Sequence, residues 1–195
     1  MLFLHVTHLA VQESRHAQRE AESAAAYRLL EGLAAELGLP QMRIAKTEKG
    51  RPFFEGLPTV DFSLSHTAGL AVCALSYSTD TSIPRVGVDA EGKAPYSDAK
   101  IAALAARFFG EHEQAHVAAA TDKQTAFTEV FVRKEAFAKY TGEGLAQHWG
   151  GTDTLHPNFE HTQGVRFFTY QENSVHICLC GPEGAEPPPC TIKES

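Results

Sequence analysis

The chain has 195 residues, 43% hydrophobic and 21% charged, a length suited to one domain or to two small halves sharing a core. At this size folding needs neither disulfides nor a structural metal, and the composition excludes both disorder and collagen-like repeats. A formal charge of -7 and a pI near 5.8 argue against a dedicated nucleic-acid binder, which would carry a basic stripe.

Cys73, Cys178, Cys180 and Cys190 form no C-x-x-C pair, and no apolar run approaches the roughly 18 residues of a membrane span. The expected location is therefore the cytoplasm, with reduced thiols. Residues 1–8 are apolar but lack a basic flank, so they read as a first strand and not as a signal peptide.

A long helix is predicted over 13–37, rich in Ala, Glu, Arg and Leu, and Gly38-Leu39-Pro40 stops it. Glycines and prolines punctuate 49–58, with a short strand near Phe53. Strands follow over 60–63, 70–76 and 85–88, the first two joined by a polar turn over 65–69. Helices are predicted over 97–108, 111–119 and 123–141, then strands over 164–170 and 174–180. The Pro-rich segment 182–195 reads as a tail. Up to Gly87 there are 8 Lys and Arg against 9 Asp and Glu, and beyond it 9 against 15, so acidic groups concentrate in the second half.

Three segments carry candidate chemistry. In Val86-Gly87-Val88-Asp89-Ala90-Glu91 an apolar strand ends in carboxylates at i and i+2, which point to one face. At about 4 Å and an effective dielectric near 20 they repel by on the order of 4 kcal/mol, which favours a bound cation or a shifted pKa. A hard ion such as Mg²⁺ suits oxygen ligands, and two splayed carboxylates in solvent are the ordinary alternative.

Along 123–141, Phe127, Val130, Phe131, Lys134 and Ala138 fall near one another, with Glu135 and Lys139 as an i, i+4 pair on another face. A surface ion pair is the plain reading; the sharper one makes Glu135 a third carboxylate at the metal and Lys139 a cation for a phosphate. The Ser65-His66 pair invites a nucleophile-and-base reading, but neighbours on an extended chain point to opposite sides, which suits an anion-binding turn better.

His112-Glu113-Gln114-Ala115-His116 satisfies H-E-x-x-H, the pattern of zinc hydrolases, but in a chain with 10 His a chance match is unsurprising.

Taken in order, Gly50-Arg51-Pro52, residues 62–67 (FSLSHT), residues 86–91 (VGVDAE), Arg107-Phe108-Phe109 with Glu113, and Arg133-Lys134-Glu135-Ala136-Phe137 with Lys139 and Gly142-Glu143-Gly144-Leu145 resemble the 4′-phosphopantetheinyl transferases, most of all the two-lobed surfactin-synthetase-activating type. About half the chain carries the likeness. Arg51 stands where that family usually has Lys, and Phe131 where Trp is frequent.

The resemblance implies an α+β fold of two similar lobes, a pseudo-dimeric arrangement with the active site between them: a first lobe over 1–85, a second over 86–181 and a tail over 182–195. It implies transfer of the phosphopantetheine arm of coenzyme A to a serine of an apo acyl or peptidyl carrier protein, releasing adenosine 3′,5′-bisphosphate. The protein would act as a monomer, without nucleic acid or membrane.

By the same resemblance Asp89, Glu91 and Glu135 bind Mg²⁺. Glu135 is the first choice of general base and Glu113 the second. Lys139 and His66 contact phosphates, and Arg51, Ser65 and Arg28 help hold the nucleotide, Arg15 and Arg19 being the other nearby basic residues. Two alternatives remain at this point: a zinc-dependent hydrolase built on residues 112–116, and a non-catalytic homologue that binds coenzyme A or carrier protein.

Overall fold

A computed structural model describes residues 1–41, 43–79, 84–144 and 151–194. The order is β1 (Leu2–His8), α1 (Arg15–Glu36), β2 (Ile44–Lys46), β3 (Pro52–Phe54), β4 (Val60–Thr67), β5 (Leu70–Tyr77), β6 (Gly87–Gly92), α2 (Asp98–Phe108), α3 (Glu111–Ala119), α4 (Lys123–Thr141), α5 (Phe159–Gln163), β7 (Val165–Glu172), β8 (Val175–Pro182) and β9 (Cys190–Lys193). The fold is α+β, as expected. Among the described residues no helix is long and apolar enough to cross a membrane.

Two larger sheets carry the structure, one ordered β4-β5-β1-β9 and the other β6-β8-β7, with β2 and β3 as a separate pair. Their facing sides share one core: Leu4 and Val6 of β1 and Val72 and Ala74 of β5 meet Val86, which precedes β6, Val88 of β6, and Ile177 and Leu179 of β8. The other face of the first sheet is covered by α1, whose Ala25, Ala26, Leu29, Leu30 and Leu33 recur at helical spacing and pack on Phe62, Ala71, Cys73 and Leu75. The other face of the second sheet is covered by α4, through Val132, Ala136 and Phe137 against Cys178 and Cys180.

Helix starts follow local chemistry. Ser14 caps α1 by accepting the Ala17 N–H, and Asp122 caps α4 by accepting that of Thr125. At its other end α4 stops on Gly142, left-handed at φ 73°.

Three readings need correction. Ser65, His66 and Thr67 belong to β4, and only Ala68 and Gly69, at φ 49° and 79°, make the two-residue hairpin turn. The 182–195 segment is not a free tail, because Cys190–Lys193 pairs parallel with β1 and closes the exposed edge of the first sheet. The short elements α5 and β2 were not anticipated, each being too short to show a period of its own.

Candidate active site

The two sheets meet where β4 lies beside β6, and side chains join them. The Val86 N–H donates to Asp61 Oδ2 at 2.9 Å, Val88 N–H to Ser63 Oγ at 3.0 Å and Ala90 N–H to Ser65 Oγ at 3.3 Å. Alternate residues of β4 thus satisfy alternate amides of β6, as the period of two requires. The same row reaches the carboxylates: Ser65 Oγ donates to Asp89 Oδ1 at 2.8 Å, and Thr67 Oγ1 to Glu91 Oε2 at 3.2 Å.

Helix α4 brings the remaining groups. Gly87 permits the approach, since a Cβ there would lie 2.1 Å from the Ala136 carbonyl oxygen and 2.5 Å from the Tyr140 nitrogen. Lys139 Nζ then reaches across to Asp89 Oδ1 at 2.7 Å and to the Leu64 carbonyl at 3.2 Å. Its ion pair is with Asp89, not with Glu135 one turn before it. Two arginines hold the end of α4: Arg51 Nε donates to the Lys139 carbonyl at 2.9 Å, and Arg85 Nη1 to that of Thr141 at 2.8 Å.

Electrostatics mark the spot. Among the described residues Asp89 Oδ2 is a buried side-chain oxygen with no hydrogen-bond partner, a costly state unless a cation meets it. Glu135 is pushed up to about 7 by burial first and by the charge of Asp89 next, with Glu91 adding and Lys139 opposing. Glu91 is raised by burial and by Asp89, against its bond from Thr67.

Among the described residues no three His, Cys, Asp or Glu side chains stand together as a ready metal cage; Lys139 occupies one oxygen of Asp89 and Thr67 one of Glu91. Mg²⁺ needs no such cage: one or two carboxylates, waters and substrate phosphates suffice. The unpartnered Asp89 oxygen and the two raised glutamates fit that donor set.

Open space adjoins these groups. A cleft of about 380 Å³ is lined by Glu135, Lys139, His66, Tyr27 and Lys49 among others. A neighbouring one of about 480 Å³ shares His66 with it and contains Arg15, Arg19 and the start of α1. Glu91 also lines a mostly apolar hollow of about 300 Å³, with Ala94, Pro95, Tyr96, Leu104 and Phe127.

A family model described as the 4′-phosphopantetheinyl transferase superfamily matches residues 85–186. The chain belongs to that superfamily. It is also similar to the 4′-phosphopantetheinyl transferase HetI of Nostoc sp. (strain PCC 7120 / SAG 25.82 / UTEX 2576), 38% identical over 88 residues. That match covers 44% of this chain and 34% of HetI, so the chain spans about a third of the length of this curated relative.

In this transferase-superfamily chain the expected site residues fall into two groups. Asp89, Glu91, Glu135, Lys139, Ser65 and His66 gather around β4, β6 and the clefts beside them. Glu113 does not join them. It is fully buried, with Oε2 bonded to Lys134 Nζ and the Gly110 N–H at 2.8 Å, and Oε1 to the Thr154 N–H at 2.8 Å and hydroxyl at 2.6 Å. A base must reach its proton, so Glu113 is corrected from second candidate to structural anchor.

That burial also removes the zinc-hydrolase alternative, because the glutamate of the H-E-x-x-H pattern points inward while His112 pairs with Asp153 and His116 with Glu129. Arg51 is likewise occupied, gripping Asp61 through both terminal nitrogens, so it locks the site's frame. Arg28 is exposed on α1 and lines neither cleft, whereas Arg15 and Arg19 line the one with His66. Leu145, the last residue of the quoted glycine motif, lies outside the described residues.

Sequence reasoning missed Asp61, Ser63 and Thr67 as the rungs that hold β6. The alternation of polar Asp61, Ser63 and Ser65 with apolar Phe62 and Leu64, which His66 breaks before Thr67, was a signal that could have found them.

Proposed function

We propose that the protein transfers the 4′-phosphopantetheine arm of coenzyme A to a serine hydroxyl of an apo acyl or peptidyl carrier protein, releasing adenosine 3′,5′-bisphosphate, with Mg²⁺. The observation that carries this reading is the meeting of an unpartnered Asp89 oxygen, a Glu135 held near 7 and the Lys139 ammonium beside an open cleft. Membership of the superfamily supports it.

In this reading Asp89, Glu91 and Glu135 hold Mg²⁺, which when bound neutralises charge on the pyrophosphate. Glu135 takes the proton from the carrier serine. The serine Oγ attacks the β-phosphorus, the bond from that phosphorus to the bridging oxygen breaks, and the electron pair leaves on the adenosine bisphosphate.

Lys139, 32% exposed, is free to shift toward phosphate oxygens while staying near Asp89. Arg15 and Arg19 supply positive charge for the outer phosphate, with the His66 ring beside them. Ser65 holds Asp89, and Arg51 sets the end of α4 against β4.

The same reading divides the chain into lobes over 1–85 and 86–181, each a sheet covered by one helix, with 182–195 returning to the first sheet. The apolar hollow beside Glu91 suits the carrier, whose own acidity makes long-range attraction to a chain of charge -7 weak. The protein acts as a monomer in the cytoplasm.

The test is chromatographic. Adenosine 3′,5′-bisphosphate should appear from coenzyme A when an apo carrier and Mg²⁺ are both present. Release without carrier, or none in the complete mixture, would overturn the reading.

A further inference from the structure

Glu22 is a buried carboxylate with no part in the reaction described. It lies within α1, 3% exposed, where an ionisable group is rarely found without partners. Oε1 accepts from Gln18 Nε2 at 2.9 Å and from the Gly69 N–H at 2.7 Å, and Oε2 meets His66 Nδ1 at 3.2 Å. One side chain therefore ties together α1, the β4–β5 turn and the histidine at the end of β4.

The consequence falls on the imidazole. An ionised carboxylate only accepts, so Nδ1 must be the nitrogen that carries hydrogen. The partner at Nδ1 is buried, while the His66 side chain as a whole is 34% exposed and lines both clefts. Nε2 is thus the nitrogen left for a ligand. Ser65, the neighbour on the strand, faces the other way toward Asp89.

We propose that Glu22 is the positioning residue of His66: it fixes the rotamer of the ring, with Nδ1–H on the carboxylate, so that Nε2, protonated in the complex, donates to a phosphate of coenzyme A. The proposal rests on the reading of His66 as a coenzyme A contact. It commits α1, until now assigned only arginines, to the site through a group of opposite charge. Glu22 also braces a turn in which Ala68 has φ 49°, so a purely structural role has to be separated from a positioning one.

The separation uses a double-mutant cycle and a spectrum. Coenzyme A dissociation constants are measured by calorimetry for the wild type, Glu22→Gln, His66→Ala and the double variant. Long-range ¹H–¹⁵N spectra read the His66 ring in the wild type and in Glu22→Gln.

Each single change should weaken binding about tenfold, the loss of one hydrogen bond to a charged group, and the double variant should bind no more weakly than His66→Ala. The neutral wild-type ring should carry its proton on Nδ1 and gain a second, on Nε2, in the coenzyme A complex, whereas Glu22→Gln should leave the free ring in the Nε2–H form that water favours and without the carboxylate that supports the doubly protonated one. Should Glu22→Gln fail to fold, Glu22→Asp, one methylene shorter, should give a smaller loss that again vanishes in the His66→Ala background.

A double variant that binds tenfold more weakly than His66→Ala would assign Glu22 to the fold and overturn the proposal while leaving the His66 reading intact. Unchanged binding in His66→Ala would remove that reading and the proposal together. A neutral wild-type ring protonated on Nε2 would overturn the proposal without any variant.

Discussion

Helix α4 carries two lysines five residues apart that meet carboxylates in opposite ways. Lys134 is 1% exposed, bonded to Glu113 at 2.8 Å and to the Thr152 carbonyl, and every oxygen of Glu113 has a donor. Lys139 is 32% exposed and paired with Asp89, whose second oxygen has no partner and whose neighbours Glu91 and Glu135 are both raised. The first pair is closed and can only hold α3 and the segment around Thr154 to the helix. The second is open and under electrostatic tension, which a ligand of the right charge relieves.

The contrast can be broken at either end. Glu135→Gln is expected to lower carrier modification by about 10²- to 10⁴-fold, the usual contribution of a general base, with the fold retained. A time course of holo carrier formation, with circular dichroism on the same sample, checks both parts.

At the closed pair the effect should be on stability. Lys134→Ala or Glu113→Ala leaves a buried charge without its partner and should cost about 3 to 5 kcal/mol in urea unfolding. The double change Glu113→Leu with Lys134→Met should recover only part of that loss, because the Gly110 and Thr154 donors to Glu113 stay unpaired. If Glu113→Ala unfolded normally yet lost all activity, the division between the two pairs would be wrong.

Gly87→Ala tests the contact that brings α4 to β6. The added Cβ meets backbone on α4, which cannot rotate away, so about 1 to 3 kcal/mol of stability should go. Activity should fall as well, because Asp89 and Lys139 would be moved apart.

The smallest effect is the pH dependence. Glu135 keeps its proton in the folded protein up to about 7, whereas the unfolded chain releases it near the ordinary 4.5 of a glutamate. The folded state therefore binds more protons between those values, and metal-free stability should fall as pH rises through the window, then level off. Discounted for partial exposure, the drop is about 1 to 2 kcal/mol. Glu135→Gln should flatten most of it, leaving the smaller slope from Glu91; an unchanged slope in denaturant titrations at several pH values would contradict this.

Much of the site was legible because its signals are local. The Asp89 and Glu91 spacing follows from the strand period, and α4 ran from Lys123 to Thr141 as its composition indicated. What escaped was long-range. Glu113 and Lys134 lie 21 residues apart, and nothing in either helix alone says that they meet in the core.

The rungs Ser65 and Thr67 were hidden for another reason. Hydroxyls on a strand look like a turn until the groups they serve are in view. Likewise β9 has four residues and gains its pairing only from β1, 186 positions away, as in the Thr7 hydroxyl bond to Lys193.

The most direct measurement is the intact mass of an apo acyl carrier protein after incubation with this protein, coenzyme A and Mg²⁺. The expected result is an increase equal to one phosphopantetheine arm, absent when Mg²⁺ is withheld. No increase on several apo carriers by protein that demonstrably binds coenzyme A would contradict the transferase reading.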